Sequence, residues 1–418
     1  MTGNRGTPRT HGTHILVILA LTNLVSYAAR NALFAVYPTL TSRYGIDDSQ
    51  IGMLQTVFMI PHAAATLPFG WAGDRFDRRK VIAIGIVLAS VAGVLGAIGT
   101  SFTGLAASRA LVGLGTAAVV PVANSILGQL FEGPQKASRL AVFNLGLFLG
   151  GVVGFATGIA LGFPLVVIAL ALPGLVLAVL VARLPVAPQV VHADAPSEGK
   201  LAVFVWDARQ LLRIRTLRWM IASTTVMAFA AGGYNAWLKE FLVRDKGMSD
   251  EEATTMLVLA LCGGLSGILV GARIADRLRA RRQTGRLWTV VIGMTLTAPC
   301  AAFAIELPAG PGLYFAGVAT LFFISWYHAP MAATVDDLAP AGLSVAAQGL
   351  VIFTMHMLGT APSSWIVGVV SESTSLHDAM WVPTAGLVVA AGCMAVATSS
   401  FGKDHARAKG GSMTPPSL

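Results

Sequence analysis

The sequence predicts an all-α membrane protein of twelve transmembrane helices in two pseudo-symmetric six-helix bundles, and three observations carry that prediction. Hydrophobic residues fill 55% of the 418 positions and charged residues only 12%, too apolar a chain for a soluble globule to bury. Apolar runs of about 20 residues, long enough to cross a bilayer as a helix, recur along its whole length. The chain also matches itself at an offset of 202 residues: Leu40, Gly45 and Asp48 fall on Leu242, Gly247 and Asp250, and Asp74-Arg75 on Asp276-Arg277. Equal spacing at both landmarks leaves no room for a gap between them. Duplicated bundles of this size usually rock about a central site, so the repeat points to transport.

In chain order the apolar runs place spans at 14–40, 51–71, 81–100, 103–131, 140–161 and 163–183, then at 219–242, 253–275, 287–305, 313–335, 345–370 and 380–401. The first run is too long for a signal-peptide core and has no small-residue cleavage site after it, so it is expected to stay as a helix. Residues 1–185 form the first bundle and 216–401 the second. Between them, 186–215 reads as a cytoplasmic linker, whose apolar residues interleaved with Arg209, Arg213 and Arg215 suit a helix along the membrane interface. The tail, 402–418, has little to bury and is expected to be disordered.

Placing both termini in the cytoplasm puts 23 of the 29 Lys and Arg residues on that side, the asymmetry that orients membrane proteins. The net charge of +9 is then an inner face against anionic lipid head groups, and nucleic acid is not needed to explain it. Cys262, Cys300 and Cys393 fall in three different spans with no ligand spacing around them, so neither a metal nor a cofactor is expected. Phosphate-binding loops, HExxH and GxSxG are absent, which argues against an enzyme and against ATP-driven transport. Short outer loops without an Asn-x-Ser/Thr acceptor favour a bacterial inner membrane, and a single copy holding both bundles is expected to act as a monomer.

The turn Gly70-Trp-Ala-Gly-Asp-Arg-Phe-Asp-Arg-Arg-Lys80 resembles the signature loop of the major facilitator superfamily, G-x-x-x-D-R-x-G-R-R/K. Tyr27-Ala-Ala-Arg30 with Tyr37-Pro38, Arg109-Ala-Leu-Val-Gly-Leu-Gly115, and Ala346-Ala-Gln-Gly-Leu followed by His356-Met-Leu-Gly-Thr-Ala-Pro362 resemble motifs of its Spinster-like branch. The resemblance covers essentially all twelve spans. It implies gating latches: Asp74 against the start of span eleven near Ser344, Asp276 against span five near Ser138, with Arg75, Arg78 and Arg277 in the adjoining basic turns. It also exposes departures, since Ala29, Thr116 and Thr360 stand where the family pattern carries acids, and Asp77 where the loop carries its second glycine.

Two embedded cations are thereby left without an evident carboxylate partner. Arg30 lies about 10 residues from the outer end of span one and Arg109 about 6 from that of span four, so a rise of 1.5 Å per residue puts them at similar depth. They either clamp an anion, for which guanidinium offers a planar fork, or bond to helix carbonyls, Asn31, Tyr27 or Asn124, or snorkel outward. Tyr27 and Asn31 are candidate contacts beside Arg30. Tyr234 and Asn235 occupy the corresponding region of the second half, after Gly232-Gly233, a pair expected to loosen the helix. His62 and His356, the histidines well inside spans, are proton-coupling candidates by elimination. Gly146, Gly150, Gly154 and Gly158 form one stripe on span five against which another helix can pack closely. The expected activity is a secondary carrier working by alternating access on an amphipathic anion; by resemblance this is a lysophospholipid or related lipid, with small organic acids or hydrophobic drugs as the alternative cargo.

Overall fold

The computed structural model describes residues 9–131, 135–186, 208–340 and 343–409. Among them every predicted span is helical, and none of them forms a strand. Span one runs as Arg9–Asn31, a 3-10 turn Ala32–Val36 and Tyr37–Tyr44; spans two to six are Asp48–Arg75, Arg78–Ile98, Phe102–Thr116 with Val119–Leu130, Gln135–Leu161 and Leu165–Ala182. Span seven is Arg215–Glu240 with a π-helical turn Phe241–Asp245, followed by Asp250–Arg281, Gly285–Glu306, and a tenth span of Pro311–Ile324, Ser325–Tyr327 and His328–Leu338. Span eleven is Ser344–Thr354, a π-helical turn Met355–Thr360 and Ala361–Ser373; span twelve is Trp381–Lys409. Ten of the twelve are long and apolar enough to cross a membrane on composition alone. The other two, spans two and seven, are diluted by Gln55 and His62 and by Thr224, Thr225 and Asn235.

The chain divides into two units, Met1–Ala193 and Asp194–Leu418. In the first, the core gathers Ile15 to Leu19, Val81 to Ile86, Val119 to Leu127, Phe143 and Leu177 to Leu184. In the second, it gathers Leu217 to Met227, Leu287 to Met294, Met331 to Leu338, Leu350 and Ala390 to Phe401. Most of the expected linker, 187–207, lies outside the described residues. At its described end Leu211 and Ile214 are buried in the second unit while Arg209, Arg213 and Arg215 are exposed.

The internal repeat has a structural meaning beyond its shared residues. Gly45 and Gly247 both take left-handed φ values, 63° and 66°, a conformation that costs glycine little. Two residues on, Asp47 closes a capping box with Gln50, and Ser249 closes one with Glu252. Both pairs stand 202 positions apart, so spans two and eight are started by the same device.

Helix contacts within each unit are set by glycines. A Cβ on Gly150, Gly154 or Gly158 would lie 2.4 to 2.7 Å from carbonyl oxygens of Leu24, Ala28 and Ala32, so the stripe on span five lets span one press against its backbone. In the second unit a Cβ on Gly359 would likewise lie 2.4 Å from the Thr225 carbonyl oxygen. Gly232-Gly233, expected to loosen span seven, do not: the helix runs unbroken from Arg215 to Glu240, and the pair packs against Ser363 and Val367 of span eleven. The irregularity falls in span eleven instead, at the π-helical turn.

The tail also departs from expectation. Span twelve continues as helix to Lys409 instead of ending at Phe401, because polar residues beyond that point find partners. Asp404 accepts 2.8 Å bonds from the backbone N–H and hydroxyl of Thr216 at the start of span seven, where a helix favours negative charge. His405 stacks on Phe401 and bonds the Asp337 carbonyl at 3.2 Å. Residues 410–418 lie outside the described chain.

Candidate functional site

The residues that gather in the first unit do so around one side chain the sequence did not single out. Phe58, on span two and 1% exposed, has the Arg109 guanidinium 4.5 Å and the Arg30 guanidinium 5.6 Å from its ring centroid. Both lie within the reach of a cation–π contact. One turn along, His62 stacks on the same ring at 5.5 Å with 16° between the planes. The Tyr27 ring stands 5.8 Å from Arg30. Spacing by four brought Phe58 and His62 to one helix face, and this was the available signal for Phe58.

Span four meets this face through Gly113, whose Cβ, if it had one, would sit 2.1 Å from the Phe58 carbonyl oxygen. His62 Nδ1 lies 3.1 Å from the Gly113 carbonyl and 3.2 Å from the Thr116 hydroxyl. Arg109, Gly113 and Thr116 therefore share the face of span four that abuts Phe58 and His62. Thr116 stands where the family pattern places an acid, and a histidine reaches it here.

Arg109 is 4% exposed and donates one long bond, 3.4 Å, from Nη2 to the Arg30 carbonyl; its Nε finds no acceptor. Among the described residues neither Arg109 nor Arg30 pairs with a carboxylate. Arg109 also lines a cavity of about 60 Å³ between spans one, three, four and six, beside Ser26, Ala29, Ser90 and Ser108. Its hydroxyls mostly turn inward: Ser26 and Ser108 donate to Thr22 and Leu105 carbonyls of their own helices.

Other expected site residues lie elsewhere or do other work. Asn31 is buried and donates to the Tyr27 carbonyl at 2.8 Å, which braces the turn carrying Arg30. Tyr234 is buried against span twelve, 2.6 Å from the Thr384 hydroxyl, and Asn235 is exposed, both in the second unit. His356 sits in the π-helical turn of span eleven. The side chains of Asp74, Arg75, Ser138 and Ser344 lie outside the described residues.

Arg78 is buried, its Nε donating to the Gly73 carbonyl at 3.2 Å; Asp276 and Arg277 are exposed at the end of span eight. Asp77, in the place of a glycine, caps span three by accepting from the Arg79 N–H at 3.1 Å and pairs with the Arg79 guanidinium at 2.8 Å. Hydrogen bonding to Arg79 holds the Asp77 carboxyl below its usual range.

Comparison with known proteins agrees with this architecture. The profile of the Major Facilitator Superfamily matches residues 19–364. Protein spinster homolog 3 of Danio rerio is 28% identical over 415 residues, covering 90% of this chain and 81% of its own. The sphingosine-1-phosphate transporter SPNS2 of the same species is 28% identical over 391 residues, covering 85% and 75%. Among solved structures, a bacterial homolog to the human lysosomal transporter Spinster, inward-facing and unoccupied, superposes with a TM-score of 0.80 at 17% identity, over 98% of this chain and 100% of that one. The chain belongs to the major facilitator superfamily, as a Spinster-like member.

Proposed function

We propose that this protein is a secondary carrier that moves an amphipathic anion, a lysophospholipid or related phosphorylated lipid, by alternating access of its two bundles. One observation carries the choice of cargo: two guanidinium groups converge on one buried ring with no carboxylate paired to either among the described residues. Charge held in a low-dielectric setting is costly, several kcal/mol on most scales, unless an anion or water offsets it. A phosphate monoester suits two such forks, and a relative that carries sphingosine-1-phosphate in its name supports the lipid class.

In this reading Arg30 and Arg109 clamp the head group and Tyr27 and Asn31 steady the Arg30 turn; within the second unit, Tyr234, bonded to Thr384, and Asn235 are the candidate polar residues. Asp74, Arg75 and Arg78, with Asp276 and Arg277, form the gating turns. His62, which stacks on the Phe58 ring, and His356 are the proton-coupling candidates. Both termini face the cytoplasm of a bacterial inner membrane, and the working unit is a monomer.

The test is uptake of labelled sphingosine-1-phosphate into liposomes holding the purified protein, with and without a proton gradient. Wild type accumulates the lipid, and Arg109→Ala, folded and inserted to the same extent, does not. Equal uptake by Arg109→Ala would refute the clamp. Uptake of a small carboxylate with no lipid uptake would move the assignment to organic acids.

A further inference from the structure

We propose that Phe58 is the positioning residue of the anion clamp: its ring holds the Arg30 and Arg109 guanidiniums together and, apart from the one long bond from Arg109 to the Arg30 carbonyl, leaves N–H donors for the substrate. The inference rests on the clamp reading above and concerns how the clamp is kept open for use.

Two like charges drawn to one place repel, and a flexible arginine has alternatives. It can turn back to a helix carbonyl or reach toward the interface. A carboxylate between the two would hold them, but it would occupy the donors that an anionic substrate needs. Ala29 and Thr116 stand at the positions where the family pattern supplies acids. An aromatic face attracts a cation through its quadrupole and accepts no N–H bond in the plane of the fork. It can therefore fix where a guanidinium sits without neutralising it.

Phe58 is built for that role. The ring is 1% exposed and has almost no room to turn. His62 stacks on it, and His62 is itself tied to span four at the Gly113 carbonyl and Thr116 hydroxyl. Gly113 brings the two backbones into contact beside it. The guanidinium placed nearer, Arg109 at 4.5 Å, is also the one whose Nε finds no acceptor. The ring thus sets position while hydrogen-bonding capacity stays unspent, which is preorganisation for an anion.

The experiment replaces Phe58 in the full-length protein, held in nanodiscs, by 4-fluoro-, 3,5-difluoro- and 3,4,5-trifluorophenylalanine. Calorimetry then measures binding of octyl phosphate. Fluorine withdraws electron density from the ring face with little change of shape, so a role limited to packing predicts a flat series with unchanged melting temperature. The positioning role predicts a dissociation constant that climbs with each fluorine to about thirty-fold at the third, the factor a desolvated cation–π contact corresponds to. Phe58→Trp keeps binding and Phe58→Leu weakens it.

Arg109→Ala is measured beside the series. If it abolishes binding and the series is flat, Phe58 is only packing and the clamp stands. If Arg109→Ala binds as wild type, the clamp fails and this inference falls with it.

Discussion

Gly113→Ala tests the link between helix packing and the anion site. The added methyl carbon would stand 2.1 Å from the Phe58 carbonyl oxygen and 3.0 Å from its carbon. Backbone on both sides of the contact leaves no side chain able to rotate away. To reach an ordinary 3.4 Å contact, span four must retreat from span two by about 1.3 Å, a shift that overpacking imposes at a cost of about 1–3 kcal/mol.

A retreat of that size carries the 3.1 Å contact from His62 to the Gly113 carbonyl past hydrogen-bond reach. It also moves Arg109, one turn earlier on the same face, from 4.5 Å toward the outer limit of contact with Phe58. We expect a melting temperature several degrees below wild type and an apparent KM for the lipid raised several-fold, with part of the transport rate retained. Gly392→Ala is the matched control, because no atom lies within 4 Å of the added carbon; it should leave both quantities near wild type. If Gly113→Ala behaves like Gly392→Ala in thermal unfolding and uptake, backbone contact at Phe58 is not what positions Arg109.

Restoring the family's glycine, Asp77→Gly, removes the carboxylate that caps span three and pairs with Arg79, and should cost about 0.5 kcal/mol at neutral pH, only a few tenths of it from the cap because glycine is itself tolerated there. Because Arg79 holds the Asp77 carboxyl below its usual range, that stability is present above the ordinary aspartate value of about 3.9 and is lost as pH falls through the lowered folded value. Thermal unfolding of wild type and Asp77→Gly should therefore converge as the pH falls below the ordinary aspartate range and through the lowered Asp77 value, and a gap that does not narrow with falling pH would assign the effect to something other than the carboxylate. Asp404→Ala removes the acceptor of two bonds that the fully buried Thr216 donates, and should lower stability by about 1–3 kcal/mol, the cost of a buried donor left unmade. An unchanged melting temperature would mean the end of span twelve is not anchored at span seven.

Hydrophobic run length revealed all twelve spans because the bilayer demands about 20 apolar residues, whatever the packing. Where spans bend was not legible: the π-helical turn Met355–Thr360 and the breaks near Val119 and Ser325 depend on contacts with neighbouring helices. The tail was misread for a similar reason. Its polar composition suggested solvent, yet Asp404 and His405 have partners on spans seven and ten, far away in sequence. Depth arithmetic brought Arg30 and Arg109 to one level, but only the fold shows the ring that stands between them. Phe58 looked like any other apolar residue of a span, because being aromatic and buried does not announce what approaches the ring.

The duplication separates scaffold from chemistry. At the offset of 202, the left-handed glycine, the capping box and the Asp-Arg turn all recur. The clamp does not: Arg30, Phe58 and His62 correspond to Gly232, Ala260 and Gly264, and the segment Pro311–Ile324 that answers to Arg109's helix carries no charge. Had the arginines and their ring served helix packing, the same bundle in the second half would need replacements of similar size and polarity. It packs instead with glycines, Gly264 against Ser325 and Gly232 against Ser363. The bundle can therefore be built without this cluster, and two guanidiniums buried at positions the other half fills without charge support the anion clamp proposed above.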